Sequence, residues 1–166
     1  MTKMSRDDMD GVIRKCLTTD VTTEEPPPSI LWRLEAFGDR AYETIQEMLL
    51  REQVSGEEAA RAIRCLALLS RHDIGKTVFK LHLVIKLAER DDRILRSMAI
   101  HSVILGFSIL KGWLEIAESR GHRLQEIRDQ MPTEEQLRQV VIRARDKGLD
   151  PQQMELAGEF LQRSPE

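Results

Sequence analysis

Aromatic side chains are scarce in this chain: two Trp, one Tyr and four Phe among 166 residues. Proteins that stack bases along a strand need a row of such rings, so the scarcity counts against nucleic-acid binding. Cysteine is nearly missing. Cys16 and Cys65 stand far apart, with no metal-ligand spacing and no disulfide framework. Cys65 lies in an apolar run and reads as a small buried hydrophobe. Glycine and proline are few and fall mostly between apolar segments. No sign of charge dominates, with 25 Lys and Arg against 28 Asp and Glu. A basic stripe for a phosphate backbone is therefore not evident. Long hydrophobic runs are also lacking. The best membrane candidate, Val103–Leu110, is eight residues long, whereas a spanning helix needs about 20. The N-terminal stretch Met1-Thr2-Lys3-Met4-Ser5-Arg6 is polar and has no apolar signal-peptide core. These absences predict a reduced, cytoplasmic protein with no membrane partner.

What is present is aliphatic residues at helical spacing. Met9, Val12, Ile13, Cys16 and Leu17 predict a first helix that begins after Ser5 and ends by Thr18. Residues 19–28 are a linker closed by Pro26-Pro27-Pro28, which cannot sit inside a helix. Ser29 can cap a helix over Ile30–Phe37, and Asp39 can cap another running to about Glu52. Ser55-Gly56-Glu57-Glu58 is a capping box for a helix through about Ser70. A turn at His72–Gly75 precedes a helix from about Lys76 to Glu89. The next helix, Arg93 to about Leu105, is apolar almost all the way round, which predicts burial between neighbours. Gly106 and Gly112 blur its end, and helix resumes through Trp113–Ala117. Thr133 to Gln136 is a second capping box, for a helix closing at Gly148. Asp150-Pro151 opens the last helix, which ends near Gln162. No stretch alternates with period two, so the expected fold is all-α with about eight helices.

Two apolar segments look like copies, Ala62–Ser70 and Ala99–Phe107. Recurrence at such an interval is how stacked helical hairpins are written. Ile30–Asp39 looks like the end of a first repeat helix with its Gly-Asp turn, Leu66–Asp73 takes the equivalent place in the next unit, and Asp92–Ala99 looks like the acid–aliphatic–Arg–Ala start of a third. Over about residues 29–117 this pattern resembles HEAT-like helical repeats. The resemblance implies a short α-solenoid of helical hairpins; an irregular helical bundle is the other architecture the pattern allows. The expected organisation is a single domain over 1–166, with an N-terminal helix (1–18), a Pro-rich linker (19–28), the HEAT-like stack (29–117) and C-terminal capping helices (118–166).

Chemical motifs are missing: no phosphate-binding Gly-rich loop, no HExxH and no serine nucleophile elbow. Nothing calls for a cofactor. His82 and His101 lie on helices, where a metal site would need further carboxylates. His101, beside Met98 and Leu105, reads first as a hydrogen-bonded core histidine. Trp32, Tyr42 and Trp113 fall at apolar helical positions, so core packing is expected before an interface role. Arg33, Arg61, Arg64 and Arg96 read as solvated or paired with Glu.

The helix at 76–89 carries two apolar sides. Val78, Leu81, Ile85 and Ala88 form one; Phe79, Leu83 and Leu87 form the other, flanked by Lys76, Lys80, Lys86 and Arg90. Two sides fit contact with two neighbouring helices, or else a groove with an aliphatic floor and a basic rim. The groove reading makes Lys76, Phe79, Lys80, Leu83, Lys86, Leu87 and Arg90 the candidate partner-binding residues, suited to another protein with an acidic surface. The expected function is then a non-enzymatic protein-interaction module. By the resemblance, it would be an adaptor or a toxin-neutralising, immunity-like protein. The alternatives are a small helical enzyme or ligand- or metal-binding bundle using His82 and His101, and a nucleic-acid-binding HEAT-like protein.

Overall fold

A computed structural model describes residues 5–18, 28–51, 54–70 and 73–163. All regular structure among them is helical. Eight helices have nine residues or more: α1 (Arg6–Thr18), α2 (Pro28–Ala36), α3 (Asp39–Leu50), α4 (Gly56–Leu69), α5 (Ile74–Leu87), α6 (Arg93–Ser119), α8 (Glu134–Lys147) and α9 (Pro151–Gln162). A short α7 (Gln125–Gln130) lies between α6 and α8. The linker expected at 19–28 falls outside the described residues apart from Pro28, as does His72 of the expected 72–75 turn. The helices group into two compact units that divide between Leu69 and Ser70.

In the first unit α3 pairs with α4, and α1 packs on both. The core is aliphatic: Ile13, Leu17, Leu34, Ile45, Leu49, Ile63 and Leu66 are all buried. Polar side chains fix how α1 meets α3. Arg40 on α3 forks onto Asp10 of α1 at 2.7 and 2.8 Å, and Thr44 donates to the same carboxylate at 3.0 Å. Ser55 and Glu58 form the expected reciprocal capping box at the start of α4. Asp39 does not cap α3. Gly38 holds that position with φ 55°, which suits a residue without Cβ, and Asp39 is the first helical residue. Of the aromatics, Tyr42 is buried, Trp113 is half-buried and Trp32 is largely exposed, so the core expectation fails for Trp32.

In the second unit α5 and α6 form the central hairpin, capped at each start by an aspartate. Asp73 accepts from the Lys76 amide and Asp92 from the Leu95 amide, both at 2.9 Å. Asp73 at the cap starts α5 at Ile74, before the expected Lys76. The larger correction concerns α6. It does not end near Leu105 but runs unbroken for 27 residues, through Gly106 and Gly112. Two helical glycines cost about 1 kcal/mol each, which burial of Leu95, Ile100, Val103, Leu110 and Leu114 easily exceeds. By length and composition alone α6 is also long and apolar enough to cross a membrane. Half of its most apolar window is buried inside the protein.

α8 and α9 pair with each other, and both pack on α6. Arginines close the ends of these helices by binding otherwise unmatched carbonyls. Arg96, buried on α6, donates to the carbonyls of Gly148 and Arg90 at 2.9 Å and of Lys147 at 3.2 Å. Arg138 donates to the Leu161 carbonyl at 2.7 Å and the Arg163 carbonyl at 3.1 Å. Arg96 is therefore neither solvated nor paired with Glu. The capping box at Thr133 and Gln136 forms as expected. Asp150 precedes Pro151 at the cap position, but its carboxylate pairs with Arg93 at 3.1 Å instead of capping α9.

Candidate functional site

The residues proposed on α5 separate once the helix is packed. Phe79 is 54% exposed, whereas Lys80, Leu83 and Leu87 retain 6%, 4% and 1%. Lys86 is exposed, and Lys76 and Arg90 are half-buried. α5 packs on α6 and touches α7, and side chains of both its apolar sides, Val78 and Leu81 on one and Leu83 and Leu87 on the other, are buried. An aliphatic floor made of Leu83 and Leu87 is thereby excluded, because a partner cannot reach them. Phe79 and Lys86 remain at the surface.

The open apolar surface lies on α6 instead. Leu105, Ile109 and Ile116 are 42%, 51% and 54% exposed, and Ile94 is exposed near the N-terminus of the same helix. With half-buried Met98 and Ser102, and with Gly112, they follow the positions 98, 102, 105, 109, 112 and 116. Alternating steps of four and three keep a stripe on one side of a helix. Burial between neighbours was expected for this helix, but only part of its circumference is covered. The stripe was legible in the spacing, yet it disappears if the helix is broken at Gly106.

One basic residue sits at the edge of this stripe. The Lys80 ammonium is close to Gly106: a Cβ built there would lie 3.9 Å from Lys80 Nζ. Gly106 is one turn from Ile109 along α6. Burial lowers the Lys80 pKa from its ordinary value. Other cations of the same unit have a carboxylate partner. Arg93 pairs with Asp150, Arg128 with Glu118 and Arg143 with Glu89.

A concavity of about 400 Å³ is lined by His82 and Ile85 of α5, by Pro132, and by Val140 and Arg143 of α8. Its polar rim is already engaged within the chain. His82 Nε2 lies 2.5 Å from the Gln130 carbonyl oxygen and so carries the donated proton. Gln139 donates to Glu135, and Arg143 forks onto Glu89. Among the described residues, no three His, Cys, Asp or Glu side chains gather as metal ligands. No protein-family model, curated protein or solved structure matches the chain.

Proposed function

We propose that this chain is a non-enzymatic protein-interaction module, and that the outer face of α6 is where its partner docks. The observation that carries this reading is the stripe of Leu105, Ile109 and Ile116, large aliphatic side chains left in water on one side of a rigid helix. Isolated exposed apolar residues are ordinary, but a contiguous row marks an interaction surface. Helix-in-groove recognition uses such rows, read at steps of three and four. Phe79 and Lys86, two of the residues first singled out on α5, are also exposed. The proposal retains the HEAT-like hairpin stack as the scaffold and a cytoplasmic setting. It includes an adaptor or toxin-neutralising role.

The test is photo-crosslinking inside the cell. A photoreactive side chain replaces Ile109 in one variant and the exposed Gln152 in another. A discrete protein adduct at position 109 and none at 152 supports the reading. Equal labelling at both positions, or no adduct at 109, refutes it.

A further inference from the structure

We propose that Lys80 is the charged anchor of this surface, receiving a carboxylate from an amphipathic helix that lies on the Leu105, Ile109 and Ile116 stripe. The inference rests on the docking reading and names the partner's chemistry. Among the described residues, Lys80 makes no hydrogen bond or ion pair, although the residue is 94% removed from solvent. Taking an ammonium out of water costs free energy unless an anion replaces the lost hydration. Among the described residues no fully buried side-chain nitrogen or oxygen lacks a partner, so the Lys80 ammonium is not sealed from solvent. It lies beside Gly106, a buried α6 residue whose missing side chain lets the ammonium stand 3.9 Å from where a Cβ would be. The charge is therefore held at the border of the apolar stripe, largely desolvated and, among the described residues, without a counter-ion. An incoming carboxylate would find an ammonium already stripped of most of its water and fixed by a packed stem. That pre-organisation makes a charge pair specific, and solvated lysines such as Lys86 lack it.

A second copy of this chain fits less well. The stripe presents three exposed large aliphatic side chains, Leu105, Ile109 and Ile116, whereas a standard interface engages about 20–30 residues a side. Pairing two such faces would also bring two Lys80 ammoniums into one interface with no anion between them. A partner that supplies both an aliphatic row and an acid satisfies both features.

The experiment uses the full chain and three synthetic amphipathic helices with the same leucine stripe, flanked by Glu, by Gln or by Lys. Binding is read by fluorescence anisotropy. The Glu helix is expected to bind about tenfold or more tightly than the Gln helix, with the Lys helix weakest. Lys80→Met keeps the stem and removes the charge, so the Glu and Gln helices should then bind alike. Ile109→Asp should weaken all three. Thermal melts establish that both variants are folded. Comparing Glu with Gln on the unmodified chain gives an answer even if Lys80→Met does not fold. Equal binding of the three helices, or a Glu preference that survives Lys80→Met, overturns the inference. The docking reading would still stand if Ile109→Asp weakened all three equally. Failure of all three to bind, or self-association by sedimentation that Ile109→Asp abolishes, also overturns the acidic partner.

Discussion

Replacing Arg96 with Met keeps an aliphatic stem in the core and deletes the guanidinium that joins α6 to the end of α8. Three carbonyls lose their donors: Gly148, Lys147 and Arg90. A hydrogen bond with one charged partner is worth about 1.5–3 kcal/mol net. The three are not additive, because water can enter at the helix end and satisfy part of what is lost. Removing the buried cation also returns some desolvation energy. The expected net loss is about 3 kcal/mol, most of it from carbonyls left unmatched. For a unit of this size, about 4–8 °C per kcal/mol makes that a fall in Tm of roughly 12–24 °C. Arg96→Lys should cost about half as much, since a compact ammonium cannot span three carbonyls that a planar fork reaches together. Urea titration followed by helical circular dichroism measures the loss. Hydrogen exchange of the α8 and α9 amides shows whether it is local. Stability of Arg96→Met within about 0.5 kcal/mol of the unmodified chain would refute the claim that this guanidinium ties the helix ends.

Three further outcomes are expected. Burial alone would raise the Asp10 carboxyl, but hydrogen bonds from Arg40 and Thr44 outweigh it and hold the pKa below the ordinary 3.8. Its contribution is thus complete above about pH 4 and fades as pH falls through the lower folded-state value. The stability gap between unmodified protein and Asp10→Asn, from melts across acid pH, should close on acidification; a constant gap would contradict this. Burial, with the Cys16 thiol nearby, pushes Cys65 up to about 12. It should stay a thiol at neutral pH and react with an alkylating reagent only on unfolding; rapid labelling of the native protein would count against it. The stability linked to this thiol is complete below about pH 9 and is lost as pH rises toward 12. Finally, a Cβ at Gly112 meets nothing within 4 Å and one at Gly106 only ordinary contacts. Gly112→Ala and Gly106→Ala should each stabilise α6 by about 0.5–1 kcal/mol. A loss on thermal melting would show that a glycine is needed at that position.

Helix identity was written locally, and so was legible. Ser55 with Glu58, and Thr133 with Gln136, announce their helices because the caps involve neighbours three residues apart. The absence of a two-residue period excluded sheet for the same local reason. Burial is not local. Phe79, Leu83 and Leu87 share a side of α5 in sequence, but the packing of α6 and α7 decides that two are core and one is surface. Arg96 looks like any surface arginine until α8 ends beside it. Gly106 reads as a stop signal because glycine propensity is a local quantity, while the burial that overrides it comes from other helices. The sequence by itself determined an all-helical chain with aliphatic faces and few chemical groups. Tertiary structure alone decided which face stays open and which lysine sits at its edge, because exposure is what remains after every neighbour has taken its share of a helix.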